Sequence, residues 1–219
     1  MYFKTRTEAG IALAEKIVPK YAGKKCAVIA LNDGAVLVAT QIALRLNCVM
    51  MLLMTEAIEL PREPEAIAAV DQEGDFTYNS SYSESEVNDI AGEYRTLIDQ
   101  EKQQKVHDIN SMIGKSSLIR RSFIRKRVII LVSDGLNGSF AIDVAAEFLK
   151  PIEIKRLVIA TPLANIPAVD RMHILGDEVF CLSVVEDYLS TEHYYEVNDV
   201  PDHQIITETV NNILDRWPK

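Results

Sequence analysis

Two short turns carry the residue types that could meet a phosphorylated ligand. One is Ser133-Asp134-Gly135-Leu136-Asn137-Gly138-Ser139, directly after the aliphatic run Val128 to Val132. The other is Asn32-Asp33-Gly34, directly after the apolar run Cys26 to Leu31. A strand, a tight glycine-containing turn and a helix together aim backbone N–H groups at an anion, and the helix dipole adds partial positive charge there. Ser133 and Ser139 supply hydroxyls, and Asp134 can accept from the hydroxyls of a ligand. Other chemistries find less support. Ser133 has no Gly-x-Ser-x-Gly frame, so it is not a nucleophile elbow. No Gly-x-Gly-x-x-Gly follows the first strand, which weighs against a dinucleotide. The four histidines, His107, His173, His193 and His203, have no metal-ligand spacing and read as structural.

These turns need elements to hold them. Thr5 and Glu8 stand at capping-box spacing before Ala9, Leu13 and Ile17, which predicts a helix that Pro19 and Gly23 end. Cys26 to Leu31 suits a buried parallel strand, Ala35 to Leu46 a helix, and Cys48 to Met54 a second strand. Residues 55–83 read as irregular, with Pro61, Pro64 and Gly74, and Glu84 to about Ile113 as one long helix. Val128 to Val132 is the clearest strand, followed by a helix from about Ser139 to Leu149. Leu157 to Ala160 is a strand that Pro162 ends. Asn165 and Pro167 open a short helix, Glu178 to Val184 is a further strand, and Asp202 to Trp217 is a closing helix. The alternation implies an open, mainly parallel sheet with helices on both faces.

The bulk composition narrows the function. A chain of 219 residues, 48% hydrophobic and 25% charged, fits one α/β domain. A net charge of −9 argues against nucleic acid and anionic membrane as partners. One stretch runs against that balance: Lys115, Arg120, Arg121, Arg125, Lys126 and Arg127 occur with no acid between Ile109 and Ser133. These cations are expected either to form a solvated surface or to fold over the site. Cys26, Cys48 and Cys181 read as buried free thiols of a reducing compartment. With no charged-then-apolar opening and no apolar run near the ~20 residues that span a bilayer, a cytoplasmic protein is expected.

The strand and turn from Val128 to Ser139 resemble the phosphoribosyl-pyrophosphate motif of type I phosphoribosyltransferases: aliphatics, two acids, a short variable stretch, then Thr-Gly-x-Thr. The likeness to a bacterial branch of that family continues through Phe3 to Ala14, with Arg6 and Glu8-Ala9-Gly10, and through Pro61 to Val70. It extends over Ile159 to Ala164, Asp177 to Cys181, and Tyr194-Tyr195. The resemblance implies a single phosphoribosyltransferase-like domain over residues 1–219, with a hood at about 55–83 and a C-terminal stretch at about 185–219. It implies that Ser133 and Asp134 face the ribose, with Asp134 the catalytic candidate, and that Gly135, Leu136, Asn137, Gly138 and Ser139 cradle the 5′-phosphate. Asn32, Asp33 and Gly34 would face the pyrophosphate, and Mg²⁺ would be held by Asp33 and Asp134. A homodimer is common in the family.

The departures from the motif bear on mechanism. Ser133 replaces the first acid, Asn137-Gly138-Ser139 stands one residue short of Thr-Gly-x-Thr, and Phe140 follows instead of a hydroxyl residue. Where the branch has Arg-Gly-Gly, this chain has Asn32, Asp33 and Gly34. Asp33 would repel a pyrophosphate by roughly several kcal/mol unless a cation lay between them. Two functions therefore stand side by side. One is transfer of a phosphoribosyl group from phosphoribosyl pyrophosphate to a nitrogen acceptor. The other is a non-catalytic sensor of a phosphoribosyl or nucleotide ligand, or an assembly subunit.

Overall fold

The computed structural model describes residues 2–112 and 121–215. Five parallel strands form the main sheet, in the order β2 (Val49–Leu52), β1 (Cys26–Ala30), β6 (Val128–Val132), β7 (Arg156–Asn165) and β8 (Glu178–Val185). Every residue of β1 and β6 is buried, as a central strand covered on both faces requires. The strand period of two divides them cleanly. Val28, Ala30, Ile130 and Val132 pack under α1 (Arg6–Tyr21), α2 (Asp33–Leu46) and α8 (His203–Leu214). Ala27, Ile29, Ile129 and Leu131 pack under α6 (Phe140–Leu149) and α7 (Ile166–Leu175). The expected open parallel sheet with helices on both faces is therefore the fold.

Several boundaries differ from the sequence reading, each for a physical reason. Helix α1 runs through Pro19 to Tyr21. Leu13, Ile17 and Tyr21 are buried along one face, and that packing outweighs one lost hydrogen bond in the last turn. Thr5 caps α1 by accepting from the Glu8 N–H at 3.1 Å, but the Glu8 carboxylate accepts from the Lys4 N–H rather than from Thr5. Strand β7 passes through Pro162 to Asn165. Its pairing with β6 ends at Val132 and Ala160, so the missing proline N–H falls beyond the neighbouring strand.

Residues 55–83 are not irregular. They contain β3 (Thr55–Ile58), β4 (Ala68–Asp71) and β5 (Phe76–Tyr78), a small antiparallel sheet. Strands of three and four residues set between prolines are too short for periodicity to register. The predicted long helix is two, α3 (Glu84–Glu93) and α4 (Arg95–Met112), which break at Tyr94. They bury Ile98 and Ile109 against Ile58, Ile67, Ala68 and Val70 of the small sheet. A four-residue helix, α5 (Arg121–Ile124), precedes β6.

Cys26 and Cys48 are buried free thiols and Cys181 is half-buried; burial raises all three above the ordinary range, Cys48 to about 12. No helix among the described residues is long and apolar enough to cross a membrane.

Candidate functional site

The sheet order creates the site. The chain moves outward from β1 to β2, then returns to place β6 on the other side of β1. The carboxyl ends of β1 and β6 thus diverge into helices on opposite faces, and the crevice at such a switch point is where open α/β sheets bind ligands. Both turns singled out by sequence lie there: 32–34 after β1 and 133–139 after β6.

Turn 133–139 is held by its own polar groups. Ser133 is buried; its hydroxyl donates to the Gly135 carbonyl at 2.8 Å and accepts from the Gly135 N–H at 3.2 Å. That hydroxyl closes the turn locally instead of facing the crevice. Asn165, at the end of β7, reaches the other half. Its Oδ1 accepts from the Gly138 N–H at 3.1 Å and from the Ala168 N–H at 3.0 Å, while its Nδ2 donates to Asn137 Oδ1. One side chain therefore caps α7 and fixes turn 133–139. Gly138 has φ +97°, a conformation that a side chain would strain. Asn165→Ala is expected to cost about 1–2 kcal/mol of stability and to loosen the turn. Urea denaturation read beside hydrogen exchange at Gly138 would check both.

Ser139 caps α6 without a side-chain bond to the helix, and its carbonyl accepts from the Ile142 and Asp143 N–H groups, so the N–H groups of Phe140 and Ala141 keep their capacity for an anion. Its hydroxyl lies 3.1 Å from Ser80 Oγ of the small-sheet segment. Ser80 donates to Asp143 Oδ2 at 2.6 Å, and Arg171 Nε donates to Asp143 Oδ1 at 2.5 Å. The segment 55–83 is thereby tied to turn 133–139.

Asp134 does not stand free. Its carboxylate accepts from Arg6 Nε at 2.6 Å, and both side chains are almost wholly buried. Arg6 also donates to Asn198 Oδ1 at 3.1 Å, and its guanidinium lies 4.5 Å from the centre of the Tyr195 ring. Tyr195 donates its hydroxyl to the Asp134 carbonyl at 2.6 Å. Burial, then the neighbouring Asp134 charge, pushes the Tyr195 phenol well above its ordinary range, so it remains a donor. Tyr188 stands over Gly135, where a Cβ would meet its hydroxyl oxygen at 2.3 Å; burial raises that phenol to about 12.

On the β1 side, Asn32 caps α2 by accepting from the Ala35 N–H at 2.7 Å. Gly34 lies directly beneath Asp134: an added Cβ would sit 2.2 Å from Asp134 Oδ2. The glycine is needed for this close approach. Asp33 faces His203 of α8, whose Nδ1 lies 3.0 Å from both carboxylate oxygens. His203 is thus not one of four bystanders. Its partner lies 170 positions away, and no spacing could have revealed it.

The two carboxylates expected to hold Mg²⁺ fit a resident ion poorly, since Asp134 faces a guanidinium and Asp33 an imidazole. Among the described residues no cluster of three His, Cys, Asp or Glu could hold a metal. The basic segment divides in two. Residues 113–120 lie outside the described residues, and so does the side chain of Arg121. Arg125 and Lys126 pair with Glu153, and Arg127 donates to the Cys26 carbonyl at 3.4 Å. These three lie at the amino end of β6, opposite the site, so they do not fold over it.

No family model matches the chain. Two curated proteins of Mycobacterium tuberculosis, from strains CDC 1551 and H37Rv, each bear the name "Putative phosphoribosyl transferase". Each is 22% identical over 207 residues, covering 93% of this chain and 45% of its own length. The chain is similar to these two curated proteins at low identity. It spans less than half the length of these curated relatives. The protein TT1426 from Thermus thermophilus shares the fold over 100% of both chains, with a TM-score of 0.72 at 24% identity. AQ2163 from Aquifex aeolicus aligns with a TM-score of 0.50 at 11% identity, over 85% of this chain and 77% of its own. Where the resembled motif has two acids, this chain has a serine that closes its own turn and an aspartate already paired with arginine.

Proposed function

We propose that the chain binds phosphoribosyl pyrophosphate or a nucleotide 5′-phosphate at the strand, turn and helix 128–140. The observation that carries this reading is the turn after β6. It sits at the switch point, its backbone is fixed by Asn165, and it opens onto the first two N–H groups of α6, those of Phe140 and Ala141. The 5′-phosphate takes those N–H groups and packs against the Gly138-Ser139 backbone that Asn165 holds in place. The ribose lies over Ser133 and Asp134. With phosphoribosyl pyrophosphate the reaction class is displacement at the anomeric carbon: a carbon–nitrogen bond to the acceptor forms as the carbon–oxygen bond to pyrophosphate breaks. Positioning supplies most of the rate in such a reaction. Mg²⁺ enters this reading only as an ion carried in by the pyrophosphate, and no residue of the chain is assigned to it.

A specific observation favours the second reading, a non-catalytic phosphoribosyl or nucleotide sensor or assembly subunit. Asp134 is committed to Arg6, and Asp33 adds negative charge where pyrophosphate would lie. Calorimetric titration with phosphoribosyl pyrophosphate, with and without Mg²⁺, beside ribose 5-phosphate, separates the two. Binding that depends on Mg²⁺ and weakens in Asp134→Ala supports the transferase. Equal, metal-independent binding of ribose 5-phosphate supports the sensor. Binding of neither ligand overturns both ligand readings and leaves the assembly subunit.

A further inference from the structure

A cavity of about 480 Å³ opens at the carboxyl ends of β1 and β2, on the far side of Asn32 and Asp33 from the phosphate turn. Its size falls within the roughly 300–1,000 Å³ of small-molecule sites. Leu31, Leu52, Leu53, Met54 and Met112 form apolar walls; the polar groups are Asn32, Asp33, Thr55, Glu56 and His203.

We propose that this cavity binds a small amine with an apolar body, and does not receive an anion. Among the described residues no lysine or arginine lines it. Two carboxylates do. Glu56 is shared with Lys105 of α4 at 3.3 Å, whereas Asp33 has, among the described residues, only the imidazole of His203. With a neutral ring the cavity carries the Asp33 charge, and with an imidazolium the pair cancels. Neither state leaves a positive surplus for a phosphate or pyrophosphate.

The location adds a second reason. Asp33 is the first residue of α2, so its carboxylate offsets the positive helix end that would otherwise attract an anion. An ionised carboxylate only accepts, so the His203 Nδ1 that faces it carries the proton. Nε2 is then left to the Thr207 hydroxyl at a long 3.3 Å. An ammonium can donate to Asp33 while its hydrocarbon body covers Leu52, Leu53 and Met54. This site does not rest on the phosphoribosyl reading; it bars a pyrophosphate from the Asp33 cavity and leaves the 5′-phosphate turn untouched.

The test is NMR of the histidine ring nitrogens on the full chain, with the His203 signals assigned from His203→Gln. Three probes are titrated at matched ionic strength: phenethylamine, 2-phenylethanol of the same shape, and inorganic pyrophosphate. Saturable shifts of His203 with phenethylamine, at least about tenfold weaker with the alcohol and absent with pyrophosphate, are expected. Equal shifts with the alcohol, or larger shifts with pyrophosphate, overturn the proposal, as does no shift with the amine. Ribose 5-phosphate, followed separately at the Gly138 amide, reports on the phosphate turn alone. Failure of one reading is therefore distinguishable from failure of the other.

Discussion

Arg6→Leu is expected to destabilise the fold by about 3–5 kcal/mol, because it leaves the Asp134 carboxylate buried without its cation. In a chain of this size that is a fall in melting temperature on the order of 10 °C. The neighbouring groups sharpen the expectation. Arg6 lies over the Tyr195 ring and reaches Asn198, so its removal also frees the C-terminal stretch that donates to the Asp134 carbonyl. The double variant Arg6→Leu/Asp134→Leu should recover most of the loss, since no unpaired charge remains. Urea midpoints for both variants check this. A single variant within about 1 kcal/mol of the parent would mean that Asp134 reaches water without arginine, and is free for a ribose.

Gly34→Ala is expected to cost roughly 2–4 kcal/mol despite a backbone that any residue can adopt. Alanine gains up to about 1 kcal/mol of helix propensity over glycine. Against that, its Cβ would lie 2.2 Å from Asp134 Oδ2 and 2.8 Å from Arg6 Nε, so the buried ion pair has to part. In an Arg6→Ala/Asp134→Ala background both obstacles are gone, and the same substitution should turn neutral or mildly stabilising. Thermal denaturation of the parent and these three variants reads this change of sign. A penalty of the same size in both backgrounds would place the clash elsewhere.

Both predictions concern contacts that join the two ends of the chain's central crevice. The sequence alone determined the parts that depend on near neighbours. An unbroken aliphatic run makes β6 a strand buried on both faces, and its ending at Ser133-Asp134-Gly135 follows from turn chemistry. Asn165 was legible as a cap because its partner, Ala168, is three positions on. The alternation of strand and helix set the layered α/β class, since strands apolar on both faces need helices above and below.

Only the tertiary structure decided what the charged groups do. Whether Asp134 is free or paired depends on Arg6, 128 positions away, and whether Asp33 is solvated depends on His203. A carboxylate's chemistry is set by the charges within a few ångströms, and periodicity carries no record of those. The small sheet at 55–78 escaped for a related reason. Its strands are too short to have a period, and they are stabilised by burial against α4 rather than by their own pattern. Local propensity wrote the scaffold and the two turns; long-range packing chose the partners that decide their chemistry.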